Sequence, residues 1–193
     1  PDDPGRFSGI PKRATKGVIV VANWNKATEI FTNQAKGHGG GLLFKLLPPD
    51  SVVKVLKVGK DVNCIVVKNV HGGESSIYIS TVQSFRRDVQ QVESSSWDWI
   101  HIDEPCPEAM WVGLSRGLMD NNGKAWFTCT PIAEPWINAW FLPHKLLRKQ
   151  LPSDQVHYFG DKAVCVGSTL DNAYLSSSGV AAFSAAIPED ERA

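Results

Sequence analysis

The 193-residue chain carries no surplus of charge of either sign: 20 Lys plus Arg stand against 20 Asp plus Glu, for a formal net charge of zero. Small nucleic-acid-binding modules ordinarily show a basic excess, because phosphate neutralisation supplies most of their affinity. Any contact with nucleic acid is therefore expected to be local, transient or carried by other parts of a larger protein. Cysteine is sparse and scattered. Cys64, Cys106, Cys129 and Cys165 include no C-x-x-C pair, which excludes the usual zinc spacings and a dense disulfide scaffold. Four reduced thiols in a cytosolic compartment are the expectation. The apolar runs are short: Gly17-Val-Ile-Val-Val-Ala22 falls far below the roughly 20 residues a spanning helix needs. Pro1-Asp-Asp-Pro-Gly5 has no basic start leading into an apolar stretch, so it is no signal peptide. With no initial Met, the chain reads as an excerpt or a processed piece.

What is present suffices for one domain with a sizeable core, since 42% of the residues are hydrophobic. Residues 1–16 are rich in Gly, Pro and basic side chains and read as an exposed entry loop. Val18-Ile-Val-Val-Ala22 is β-branched and continuously apolar, which suits a strand buried on both faces. An amphipathic helix is expected over residues 25–34, and strand followed by helix argues for α/β layering. Cys64-Ile-Val-Val67 and Ser76-Ile-Tyr-Ile-Ser80 flank His71-Gly-Gly-Glu74 as a hairpin or neighbouring strands. The pattern then predicts a polar helix over 84–92, a strand over 97–102, a helix over 107–119 and a strand over 125–129. A basic helix over 143–150, a short strand over 163–166 and a last helical turn or two over 180–186 complete it. No internal repeat occurs, and only Ser176-Ser-Ser-Gly179 is locally biased.

The stretch with most chemical content is Trp97-Asp-Trp-Ile-His-Ile-Asp103-Glu104-Pro105. In open parallel sheets the ligand sits beyond the carboxyl ends of the strands. Two carboxylates there suit a hydrated magnesium ion on one and a water to be oriented or deprotonated on the other. Pro105 cannot donate to a ladder, so pairing stops where the acids turn outward. Alone, such a pair is more often a plain turn, and His101 stands where this pattern usually has an apolar residue. Downstream, Gly123-Lys-Ala-Trp-Phe-Thr128-Cys-Thr130-Pro131 is a second apolar strand ending in hydroxyls. A strand-helix-strand unit would bring its end beside the acids. Thr128 reads as a strand former, whereas Thr130 reads as a hydroxyl for a phosphate or the attacking water.

In order and spacing, Ile100-His-Ile-Asp-Glu-Pro105, Ser115-Arg-Gly-Leu-Met-Asp120, Gly123, Phe127-Thr-Cys-Thr-Pro131, Gly167-Ser-Thr-Leu-Asp171-Asn172-Ala-Tyr-Leu175 and Ile187-Pro-Glu-Asp-Glu-Arg192 together resemble the ATPase core of phage terminase large subunits. The likeness covers residues 62–193 and is loose before them. It implies an incomplete RecA-like parallel sheet flanked by helices: an entry loop over 1–17, a core over 18–142, and a post-core segment over 143–193 that leads towards a nuclease domain. It also implies an ATPase, with ATP and Mg2+ as cofactors, that drives viral double-stranded DNA into a procapsid in the host cytoplasm. The portal protein and the small terminase subunit would be its partners, in a homo-oligomeric ring with no membrane. Asp103 would hold Mg2+ through water, Glu104 would be the catalytic carboxylate, and Thr130 would belong to the coupling motif. Arg116, Asp171 and Asn172 are weaker candidates: a solvated helix arginine and a turn cap are the plainer roles for them.

One family feature is missing. No G-x-x-x-x-G-K-[ST] loop occurs: Gly37-His-Gly-Gly-Gly-Leu42 lacks the Lys and the hydroxyl, and Gly117 to Lys124 has the wrong spacing with Ala125 next. Without that loop nothing cradles the phosphates, so the chain by itself is expected not to hydrolyse ATP and to leave a strand edge unpaired. The basic clusters Lys12, Arg13 and Lys16; Lys54, Lys57 and Lys60; Arg86 and Arg87; and Lys145, Arg148 and Lys149 suit a DNA backbone or a plain solvated face. Trp136, Trp140 and Phe141 read as core or as a surface for a neighbouring domain. Two rival readings stay open: another RecA-like motor such as a helicase, and a non-catalytic structural or interaction domain in which Asp-Glu-Pro is only a turn.

Overall fold

The computed structural model describes residues 12–33, 41–85, 95–129, 135–142, 151–152, 155–167, 176, 178–179, 181 and 185. It is a mixed α/β fold whose main sheet has six strands. In chain order the strands are β1 (Lys16–Val21), β2 (Val52–Val58), β3 (Asp61–Lys68), β4 (Glu74–Thr81), β5 (Trp99–Asp103) and β6 (Lys124–Thr128). They lie in the order β2-β3-β4-β1-β5-β6. β4, β1, β5 and β6 run parallel, while β2-β3 and β3-β4 are antiparallel pairs.

β1 is central because its sequence leaves it nowhere else to go: Val18, Ile19, Val20 and Val21 are all buried, as a strand covered on both faces demands. Side chains alternate along each strand, and the register carries one set of faces across the sheet. Ile19, Val21, Ile65, Ile77 and Ile79 form one core with Ala27 and Phe31. That face is covered by α1 (Trp24–Lys26), which runs on into a π-helical turn (Ala27–Thr32), and by α2 (Leu42–Leu46). Asn23 caps α1 by accepting the Lys26 N–H at 3.0 Å, and Thr32 Oγ1 donates back to the Ala27 carbonyl at 3.3 Å within the wide turn. The other face holds Val18, Val20, Ile100 and Ile102. There Trp111 of α4 (Glu108–Met119) meets Phe127 edge to face, with ring centroids 5.0 Å apart.

Gly17 is required by a close approach. It pairs with Trp99, and a Cβ at that position would lie 1.8 Å from the indole, so only glycine lets the ring lie across β1. Gly72 and Gly73 take positive φ in the β3–β4 hairpin, as the Gly-Gly pair implied.

The expected strands over 18–22, 76–80, 97–102 and 125–129 are present within a residue or two, as is the helix over 107–119, and the strand expected over 64–67 is longer, starting three residues earlier at Asp61. The helix expected over 25–34 is α1 and its π-helical continuation. That expected over 84–92 is seen as α3 (Val82–Phe85), the rest lying outside the described residues, as do 143–150 and most of 180–186. β2 is an edge strand with Lys54 and Lys57 exposed, an arrangement that discourages pairing with another chain. The other edge is β6, which has no outer neighbour among the described strands.

A second compact unit, residues 135–193, contains α5 (Pro135–Phe141) and a hairpin of β7 (Val156–Phe159) and β8 (Lys162–Cys165). Lys162 Nζ donates to the Trp140 carbonyl at 2.6 Å and lies 4.8 Å from the centre of its ring. α5 and β7 were not expected from sequence. Trp140 is exposed on α5, and the strand expected over 163–166 is β8.

The parallel strands are tied at their amino ends by Asp98. Its carboxylate, 4% exposed, pairs with Arg13 and accepts the Lys16 N–H at 2.6 Å. The Asp98 N–H donates to the Lys16 carbonyl at 2.8 Å, and the Asp98 carbonyl accepts from Lys124 at 3.1 Å. Asp98→Ala is expected to lower stability by about 3 kcal/mol, because it strands buried donors around a charge site. Arg13→Ala, on the exposed partner, should cost clearly less. Urea unfolding of the two variants checks the contrast.

Candidate functional site

The parallel strands bring the carboxyl ends of β1, β4, β5 and β6 to one rim of the sheet. Asp103 is the last residue of β5 and pairs in register with Thr128, the last of β6. The Thr128 hydroxyl donates to Asp103 Oδ1 at 2.8 Å, and its oxygen lies 2.8 Å from His101 Nε2. The hydroxyl has one proton, given to the carboxylate, so the imidazole must be the donor of the second bond. His101 is thus held as the Nε2–H tautomer, and a chain of hydrogen bonds runs from imidazole through hydroxyl to carboxylate.

Trp99, His101 and Asp103 alternate along β5, and Trp126 and Thr128 along β6, so all five share the face that carries Phe31. Trp126 stacks on His101 at 5.3 Å and 20° and on Trp99 at 5.6 Å and 24°. Phe31, from the π-helical turn, meets the imidazole edge-on at 6.1 Å. The aromatic wall desolvates His101: burial pushes its pKa below the usual 6.5, against an opposing pull from Asp103.

Glu104 follows directly, exposed, in a left-handed conformation with φ 72°. Its N–H donates to the Thr128 carbonyl at 2.9 Å, extending the β5–β6 ladder by one rung before the chain turns at Pro105. A non-glycine residue held there costs of order 1–3 kcal/mol. Residues held in such sparsely populated conformations cluster at functional sites.

Asp103 and Glu104 therefore stand together at the sheet rim, as the sequence implied. Thr130, Asp171 and Asn172 lie outside the described residues. Arg116 is exposed on α4. Thr128 is the strand residue it was read to be, and its hydroxyl also enters the site. His101, which interrupts the apolar pattern, is part of the same cluster. The signal for both was the alternation His101-x-Asp103 and Trp126-x-Thr128, which places the four side chains on one face once the strands are neighbours. Of the basic residues, Arg13 is engaged with Asp98, and Lys16 Nζ lies 4.6 Å and 5.3 Å from the Trp97 and Tyr78 ring centres. Lys12, Lys54, Lys57 and Lys60 are exposed, and Arg86, Arg87, Lys145, Arg148 and Lys149 lie outside the described residues.

No family model, no curated protein and no solved structure matches this chain.

Asp103 is the carboxylate that could hold a hydrated cation at this rim. Among the described residues no group of three or more His, Cys, Asp or Glu converges, so a protein cage is not offered there. One oxygen of Asp103 is oriented by Thr128, and the second can accept an ion's water. Magnesium keeps several waters and commonly takes only one or two carboxylates besides substrate phosphates.

Two outcomes follow from these environments. Because the folded-state pKa of His101 lies below its unfolded value, the unfolded chain takes up the proton first as pH falls. Stability from this group is complete above about pH 6.5 and is lost as pH falls through that value towards the lower folded pKa. His101→Gln should flatten the fall in urea midpoint between about pH 7.5 and about pH 5.5; an unaltered slope would assign that fall to another group. Glu104→Gly should raise stability by about 1 kcal/mol, since relief of the left-handed strain exceeds the roughly 0.4–1 kcal/mol entropic cost of glycine. A thermal melt of the two forms checks its sign.

Proposed function

We propose that this chain is the central part of the ATPase domain of a viral DNA-packaging motor, a terminase large subunit, with a RecA-like sheet. The observation that carries the reading is the placement of Asp103 and Glu104 at the carboxyl end of a parallel strand, hydrogen-bonded through Thr128 to the next strand's end. That is the rim where open parallel sheets take their ligands. In this reading Asp103 holds a hydrated Mg2+ on ATP, and Glu104 orients or deprotonates the attacking water. Thr130 follows two residues after Thr128 and couples hydrolysis to movement. Double-stranded DNA is the substrate moved, and the portal protein and small subunit are partners in a homo-oligomeric ring.

The charge balance agrees with a grip on DNA that is local and does not read sequence. The reading needs a phosphate loop from outside residues 1–193, because no such loop occurs within them. The outer edge of β6, which has no neighbour among the described strands, is where the strand bearing that loop can add to the sheet.

The test compares two proteins. The 193-residue chain alone should show no ATP turnover, whereas the complete gene product that contains it should hydrolyse ATP. In that product Glu104→Gln should lower kcat by at least about 100-fold with ATP binding largely retained. Near-normal turnover by Glu104→Gln would remove the catalytic assignment, and turnover by the isolated chain, lost in its own Glu104→Gln form, would remove the requirement for an outside loop.

A further inference from the structure

We infer that His101 and Thr128 are positioning residues that set the orientation of the Asp103 carboxylate through a two-step hydrogen-bond relay, from His101 Nε2–H to Thr128 Oγ1 and from Thr128 Oγ1–H to Asp103 Oδ1. The inference rests on the reading of Asp103 as the ligand that holds the magnesium ion's water shell.

A single carboxylate on a strand end has free rotation about its side-chain bonds, so something must select one rotamer if it is to meet an ion. Both links of the relay are 2.8 Å long, an ordinary hydrogen-bond distance, and the second has a carboxylate as its acceptor. The relay has a fixed sense, because a carboxylate only accepts and the hydroxyl has a single proton. Its origin is also fixed. The imidazole stacks on Trp126 at 5.3 Å and meets Phe31 at 6.1 Å, contacts that hold the plane of the ring while its Nε2 bonds Thr128. Thr128 is fixed in turn by β-sheet pairing with Asp103 itself and by its branched Cβ, which restricts rotation about χ1.

Partners that hold a metal-binding side chain in this way commonly affect metal affinity or activity by about 10–100-fold. They act on geometry, so ATP binding through the phosphate loop should be little changed.

The experiment has two readouts: the imidazole 15N NMR shifts of His101 in the protein without nucleotide or metal, expected to report the Nε2–H tautomer and to lose that preference in Thr128→Val, and steady-state ATP hydrolysis by the complete gene product at saturating and at limiting Mg2+. Thr128→Val is expected to lower kcat by about tenfold, to leave the KM for ATP within about twofold, and to raise the Mg2+ concentration needed for half-maximal rate. Thr128→Ser keeps the hydroxyl and should recover most of the loss. His101→Leu should match Thr128→Val, His101→Gln, which retains an N–H donor, should recover part of it, and the double variant His101→Leu with Thr128→Val should be no worse than either single one.

Thr128→Val and Thr128→Ser equally impaired, or His101→Leu and Thr128→Val losses that simply multiply, would overturn the relay. So would wild-type kinetics for Thr128→Val in a protein that Glu104→Gln stops, and in that case the motor reading itself survives. If Glu104→Gln leaves turnover intact, the motor reading falls and the relay's role falls with it.

Discussion

One buried carboxylate fixes the frame on which the site stands. Asp98 ties the amino ends of β1, β5 and β6 through its side chain, its N–H and its carbonyl. Strands advance by about 3.3 Å per residue, so alignment at one end fixes what stands opposite what at the other. Five residues on from Asp98, the register brings Asp103 opposite Thr128. A slip of one residue would send the whole alternating set to the other face, moving His101 away from Phe31 and placing Ile102 where the imidazole now sits. The chemistry at the rim is therefore a consequence of a polar contact at the far end of the same strands.

The two faces divide the work of the sheet. On one side Val18, Val20, Ile100 and Ile102 are apolar and buried, and they hold β1 and β5 together. The opposite side grades from the aliphatic core around Ile19 and Ile65 to the aromatic wall of Trp99, Trp126 and Phe31, and ends in the polar chain His101-Thr128-Asp103. Exposure rises along that gradient, and the part-burial of His101 lowers its pKa and favours the neutral ring. Glu104 lies just beyond it, exposed and in a strained backbone conformation, which the ladder bond to Thr128 sustains. Stability is given up at that residue, while the buried strands beneath it supply the surplus.

Much of the fold was legible in the sequence because the signals were local. The unbroken apolar run at 18–21 announced a strand buried on both sides, the Gly-Gly at 72–73 announced a hairpin, and the Asp-Glu-Pro at 103–105 announced where β5 stops. What could not be read were the features set by partners distant in sequence. Asp98 looks like any polar residue beside two tryptophans until Arg13 and Lys16 are brought to it from 85 and 82 residues away. α1 passes into a π-helical turn, which no periodicity revealed. Thr128, two residues from the threonine that the family resemblance singled out, is bonded to the acid because strand pairing puts it there.

The sequence by itself determined β1, β3, β4, β5, β6 and β8 but not β2 or β7, which side chains share a face within each strand, and where the acids fall relative to a strand end, since these follow from local pattern and the two-residue repeat of the extended backbone. Only the tertiary structure decided that β1 lies between β4 and β5, that β6 is an edge, and that His101, Thr128 and Asp103 form one chain of hydrogen bonds. Strand order and register are choices among many pairings compatible with the same local pattern. They are settled by which arrangement buries β1 on both faces and leaves the Asp98 carboxylate with its donors.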